Sequence, residues 1–186
     1  MKALTCLFAL GMLTVSASAA QIVYVWEGSL SGSLGGSSFT SESFVLTVTA
    51  DTVNIAPYSD GVFVPNDTAT IDLLGQTLTI TTPTTTNLND TFDGVTFGND
   101  LVQFDILLMF NGALDGYDLA SPFGPLVVAP PDTFVSQAGN PLATSGGALL
   151  ISDSAGTTLT FSAIPEPTTL ALLGLGGLTL GRRRSR

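Results

Sequence analysis

Histidine is absent from this 186-residue chain, and cysteine occurs once, as Cys6. The single lysine is Lys2, and the arginines are Arg182, Arg183, Arg184 and Arg186. Residues 21–163 therefore contain no Lys, Arg, His or Cys, while every acidic residue except Glu166 lies among them. Each absence removes a chemistry. Without Cys or His there is no thiol nucleophile, no Ser-His pair and no histidine zinc site. Without Lys there is no Ser-Lys dyad, no Schiff base and no phosphate loop with its lysine. Nothing between the ends can neutralise a phosphate backbone, so nucleic acid is not an expected partner. No side-chain salt bridge can form there, and bound cations or dissolved salt must moderate the self-repulsion of the carboxylates. The composition leaves one catalytic possibility, a carboxylate pair for glycoside hydrolysis. The acidic residues read more simply as a solvated surface, and no catalytic residue is assigned. The chain is not expected to be an enzyme.

Helical periodicity is also missing between the ends. What stands there is a series of short β-branched and aromatic runs separated by Gly, Pro, Asn and Asp turns. Residues 21–27 (QIVYVWE) open as a strand, and residues 44–49 (FVLTVT) read as a second. The Gly/Ser/Leu stretch 28–38 between them reads either as a flexible loop or as sheet with small side chains. Residues 61–64 form a short strand. Residues 68–82 give the clearest hairpin, with Gly75-Gln76 as a type II′ turn and Ile71, Leu73, Leu78 and Ile80 facing the core. Pro83 closes that strand, and Thr84-Thr85-Thr86 begins a polar loop. In residues 101–111, Val102, Phe104, Ile106, Leu108 and Phe110 recur at period two, although Leu107 and Met109 on the other face are apolar too. This is the pattern of a central strand covered on one face and partly on the other. Four prolines restrict residues 121–131 to loop or edge. Further strands are expected at 133–137, 148–152 and 157–161, with Asp153-Ser154-Ala155-Gly156 as a turn. The expectation is one all-β domain, an antiparallel β-sandwich of jelly-roll-like type.

Two features of this span invite a binding role. Asn89, Thr91, Asp93 and Asp100 stand at the spacing of a calcium loop, with Gly94 at the sixth position. The competing reading is an Asx-rich hairpin loop turned by Asp93-Gly94. Tyr24, Trp26, Tyr58 and Tyr117 would line a sugar-binding face, or else pack within the strands and anchor loops.

The two ends are of a different character. Lys2, the apolar run 3–15 and the small residues 16–20 form a signal peptide, cleaved after Ala19 or Ala20 by signal peptidase. Cys6 leaves with it, so no disulfide is expected in the mature domain. At the other end, Pro165 and Pro167 hold Ile164-Pro165-Glu166-Pro167 extended. Residues 168–181 are apolar and uncharged. As a helix they would span about 21 Å, short against a hydrocarbon core of about 30 Å. The arginine cluster behind them belongs on the cytoplasmic side of an inner membrane. The segment reads as a marginal tail anchor, or as a transient stop-transfer helix beside a cleavage motif.

Pro165, Glu166 and Pro167, the Leu/Gly-rich segment and Arg182, Arg183, Arg184 and Arg186, in that order, resemble the PEP-CTERM sorting signal of Gram-negative bacteria. The resemblance covers residues 164–186 only. It implies recognition by exosortase, a membrane-embedded transpeptidase. It also implies removal of the tail and delivery to the cell surface or an exopolysaccharide matrix. The chain thus divides into a signal peptide (1–20), an ectodomain (21–163) and a sorting signal (164–186). Two roles stay open for the ectodomain: a non-enzymatic structural or adhesive domain, or a carbohydrate-binding module assisted by Ca²⁺. No other cofactor is expected.

Overall fold

The computed structural model describes residues 20–136, 139–152, 154–155 and 157–166. Among these the chain forms β1 (Gln21–Leu34), β2 (Ser37–Asp51), β3 (Ala56–Tyr58), β4 (Gly61–Pro65), β5 (Thr68–Leu73), β6 (Gln76–Thr79), β7 (Thr84–Asn89) and β8 (Gly94–Asn99). There follow β9 (Phe104–Phe110), β10 (Phe123–Val128), β11 (Thr133–Val135), β12 (Leu142–Thr144), β13 (Gly147–Ile151), β14 (Ser154–Ala155) and β15 (Leu159–Pro165). The described helical structure consists of two single 3₁₀ turns, Thr52–Asn54 and Gly112–Leu114. No helix among the described residues is long and apolar enough to cross a membrane. Residues 168–181, where the sequence places the apolar helix, lie outside the described residues, as do Ala19, Pro167 and the four arginines.

The strands form two antiparallel sheets. In the first the order is β10-β15-β1-β2-β5-β6, with β13 also on β1 and β12 on β13. In the second it is β14-β11-β9-β8-β7-β4-β3. The long strand β1 organises the first sheet. Its N-terminal half pairs with β15, from Ile22–Pro165 to Glu27–Thr160, and its C-terminal end pairs with β13. The Gly/Ser/Leu stretch is thus sheet. Its small residues let β13 approach, since a Cβ on Gly32 would stand 2.1 Å from the Leu150 carbonyl oxygen. The far side of this sheet then curls back on itself. Beyond β6, Ile80 bridges Thr144, and the Thr81 amide donates to the Ala143 carbonyl at 2.8 Å. The circuit β1-β2-β5-β6-β12-β13 is nearly closed and barrel-like, which leaves few free backbone groups along it.

The inner faces of the two sheets share one apolar interior. Leu30, Phe44, Leu46 and Ile71 from the first sheet meet Phe97, Ile106 and Leu107 from the second around a void of about 10 Å³, at the lower limit for a single water. Tyr24, Trp26 and Phe161 are fully buried beside it, and the Tyr24 hydroxyl donates to the Leu119 carbonyl at 2.6 Å. Three of the four aromatics considered for a sugar face are therefore core or core-packed: Tyr24, Trp26 and Tyr117. The proline-rich stretch gives β10, an edge strand. Its pairing with β15 is interrupted between Phe123 and Leu126, around Pro125, where a missing N–H is tolerated.

Several local expectations are corrected. The hairpin 68–82 forms and buries Ile71, Leu73, Leu78 and Ile80, but its turn is Leu74-Gly75, not Gly75-Gln76. Leu73 pairs with Gln76, and both turn residues have positive φ, 55° and 72°, as a type I′ turn requires. The two registers differ by two residues and bury the same side chains, so alternation does not separate them. Thr84-Thr85-Thr86 is not a loop but the start of β7, within the second sheet between β4 and β8. Its partners on both sides supply what its polar side chains do not advertise. Ser154 and Ala155 pair with Val135 and Phe134 and do not form a turn; Asp153 and Gly156 lie outside the described residues.

The largest correction concerns β9. Phe97 pairs with Leu107, but the next residue, Gly98, pairs with Asp105, so Ile106 is an inserted bulge residue. A bulge resets the alternation. Ile106, Leu107 and Met109 are buried, and Asp105, Leu108 and Phe110 are only half-buried. Val102 precedes the strand and is exposed. Much of the strongest apolar stripe in the sequence faces away from the core.

Candidate functional site

The outward stripe of β9 borders a groove of about 620 Å³ on the outer face of the second sheet. Its floor is a grid set by register. Phe63 of β4, Asn87 of β7, Thr96 of β8 and Leu108 of β9 stand side by side in one row. Thr85, Gly98 and Asp105 form the next row in one direction, and Asn89, Gly94 and Phe110 in the other. Side chains opposite each other on antiparallel strands share a face, so all of these residues point outward together.

The centre of the floor is polar and internally bonded. Asp105 Oδ1 accepts from Thr96 Oγ1 at 2.8 Å and from Asn87 Nδ2 at 3.1 Å. Asn87 Nδ2 also lies 3.0 Å from Thr96 Oγ1. These bonds hold the Asp105 carboxylate in one orientation. Its other oxygen, Oδ2, has no donor among the described residues. The ends of the groove are aromatic. Tyr58 packs edge-on against Phe63, with centroids 6.5 Å apart, and Phe92 packs edge-on against Phe110 at 6.4 Å. Phe110 lies across β8 because Gly94 has no side chain; a Cβ there would be 2.5 Å from Phe110 Cδ1. Phe104, the first residue of β9, and Gln103 and Asp100, from the β8–β9 connection, also line the groove. The Tyr58 hydroxyl donates to the Leu88 carbonyl at 3.0 Å, which fixes its ring. Burial pushes the Tyr58 phenol above its ordinary range, and the carboxylates of Asp105, Asp60 and Asp90 push the same way. The groove therefore sits in a negative field with no cationic side chain of residues 21–163 to offset it.

The residues proposed for calcium are not one site. Asn89, Thr91 and Asp93 sit at the β7–β8 turn, where Asn89 Oδ1 accepts from the Thr91 and Phe92 amides at 3.0 and 3.1 Å. Asp93 has φ +47° and Asn89 pairs with Gly94. This is the Asx-rich hairpin loop. Asp100 follows the opposite end of β8, beside Pro83. A six-residue strand separates it from the turn, roughly 17 Å at strand rise. The β-pairing of residues 94–99 is what pulls a calcium-like spacing apart. Among the described residues no group of three or more His, Cys, Asp or Glu side chains could hold a metal ion.

Reading the sequence alone missed Phe63, Asn87, Thr96, Asp105, Phe92 and Phe110 as a constellation. One signal was present: β9 is apolar on both faces, which a strand with one face in the core does not need. Of the four aromatics considered for a sugar face, Tyr58 alone lies in the groove.

At the end of β15 the structure reaches the start of the sorting stretch. Ile164 pairs with Val23 and Pro165 with Ile22, and the Glu166 amide donates to the Gln21 carbonyl at 3.0 Å. Ala20, at the expected signal-peptide cut, is exposed, and its carbonyl accepts from the Thr52 amide at 3.2 Å. The expected signal-peptide cut and the start of the sorting stretch thus lie side by side, at the ends of the neighbouring strands β1 and β15. No curated protein and no solved structure matches the chain. The family model of the PEP-CTERM protein-sorting motif matches residues 163–185, and this motif implies an exported protein, held transiently in the membrane by its C-terminal region and recognised there by exosortase.

Proposed function

We propose that this chain is a surface or extracellular-matrix protein, delivered by exosortase-type processing, whose sandwich-like, jelly-roll-type body is non-enzymatic and acts by structural or adhesive contact. The observation that carries the reading is the direct passage of β15 into the sorting motif, with Pro165 still paired to Ile22. A body joined without a spacer to a segment that is held and then released is placed to be delivered whole. The lack of Cys, His, Lys and Arg in residues 21–163 supports a role without chemistry. Replacing Pro165-Glu166-Pro167 by three alanines tests the sorting. Intact-mass measurement of the wild-type surface form should find a species starting at Ala20 or Gln21, ending near Pro167 and lacking any trypsin site. The triple variant should keep the tail and remain with the membrane. A wild-type surface form that retains Arg182–Arg186 would reduce the tail to a plain anchor.

A second reading is favoured by the groove. Aromatic rings at the two ends of a hydroxyl, amide and carboxylate floor suit a carbohydrate chain, whose rings offer C–H faces and hydroxyl edges. On this reading the body is a carbohydrate-binding module, and exopolysaccharide is its partner. Binding to a glycan panel, unaffected by chelator, is the expected result.

A further inference from the structure

We propose that the groove on the outer face of the second sheet selects a linear glycan bearing free, protonated amino groups. The proposal rests on the carbohydrate reading above and narrows it.

Charge is the first argument. Asp100 and Asp105 line the groove, and no Lys, Arg or His occurs in residues 21–163 to meet an anionic sugar. A uronate or sulfated chain would bring its charge beside carboxylates with nothing to neutralise it, an arrangement that disfavours binding. An ammonium brings the one charge the groove lacks. Asp105 is ready to receive it: Thr96 and Asn87 occupy Oδ1 and hold the carboxylate rigid, and Oδ2 has no donor among the described residues. A hydrogen bond between ammonium and carboxylate is stronger than one between neutral groups.

The walls make the second argument. Tyr58, Phe63, Phe92, Phe104 and Phe110 all line the groove. Aromatic faces attract cations through the ring quadrupole and also stack on the apolar faces of sugar rings.

The third argument separates a glycan from a basic peptide. An extended peptide adds to a sheet through free backbone groups at an edge. This groove crosses the face of the sheet, over β4, β7 and β8, each flanked by paired strands on both sides, and over β9, which pairs with β8 and β11. Its floor offers side chains, not a backbone ladder. Thr85, Asn87, Thr96 and Asn89 supply both donors and acceptors, as the hydroxyl-rich edge of a sugar requires.

The test uses the purified exported protein and isothermal calorimetry at low salt and mildly acidic pH. The probes are a β-1,4-linked glucosamine hexamer, its fully N-acetylated counterpart, a galacturonate hexamer and hexalysine. The amino hexamer should bind at least tenfold tighter than the acetylated one, and the uronate should not bind. Raising the pH until the amines are neutral should erase the preference. Asp105→Asn should cost the amino hexamer at least tenfold more affinity than it costs the acetylated one. Phe92→Ala should weaken both. Far-UV circular dichroism and Trp26 emission check that Asp105→Asn still folds; if it does not, Asp100→Asn carries the same comparison. Equal affinity for the amino and acetylated hexamers would overturn the amine selectivity while leaving the carbohydrate reading in place. Absence of binding to any glycan would overturn both. Hexalysine binding tighter than the amino hexamer would replace the glycan with a basic peptide, and released reducing ends would make the groove catalytic; either result overturns the proposal.

Discussion

Phe161 is the residue whose loss tests the packing argument most directly. It lies on β15 with no exposed surface. Its ring centroid is 4.8 Å from that of Trp26, 6.1 Å from Tyr24, 6.2 Å from Phe123 and 6.3 Å from Tyr117. Phe161→Ala removes the hub of this cluster. Large-to-small aromatic changes in cores cost about 3–5 kcal/mol, and aromatic pairs add to burial alone, so the lower end is excluded and about 4 kcal/mol is expected. With a urea dependence of about 2 kcal/mol per molar, the unfolding midpoint should fall by about 2 M. Trp26, the one tryptophan of the chain, reports the transition because it touches the site. Phe161→Leu keeps most of the volume and should cost about 1 kcal/mol, a midpoint shift of about 0.5 M. A fall of less than about 0.5 M for Phe161→Ala would mean that the cluster is not close-packed, and the account of the core would be wrong.

Alkaline titration gives a second test. Burial pushes the phenols of Tyr24 and Tyr117 far above the ordinary range, with Asp118 adding to Tyr24 and with Tyr24 and Asp118 adding to Tyr117. The native state then keeps protons that the unfolded chain releases above pH about 10. Stability should be intact below that pH and fall as pH rises beyond it, with tyrosinate absorbance from both residues appearing only on unfolding. Reversible ionisation of all three tyrosines in folded protein would contradict their burial. Calcium and NaCl at matched ionic strength should raise the melting temperature equally, since Asp100 stands away from Asn89, Thr91 and Asp93; an extra shift with calcium would restore a specific site. Gly94→Ala should push the Phe110 ring off β8 and destabilise by about 1 kcal/mol. An unchanged unfolding midpoint would show that the ring moves freely.

Composition and alternation were sufficient for much of this protein. The all-β character, the faces of the hairpin around Ile71 and Leu78, the restriction of the proline-rich stretch to loop or edge and the acidic body without counter-charge follow from residue types and short-range pattern. The sorting motif is legible for the same reason: it is read as a contiguous stretch, and the match to residues 163–185 requires no fold. The tertiary structure decided everything that depends on which strand lies opposite. Pairing with β8 put a bulge at Ile106 and turned Leu108 and Phe110 outward. Partners on both sides made a strand of Thr84–Thr86, and the length of β8 parted Asp100 from the residues it resembles a site with. The two-residue turn at Leu74-Gly75 chose between registers that bury the same side chains. The groove belongs to this second class, because its rows run across strands, at right angles to the sequence. Periodicity along a strand is a local property of side-chain direction. Register, bulges and the choice of inner face arise only when another strand supplies the hydrogen bonds, and the alternation along either strand does not say which of its residues will lie opposite which.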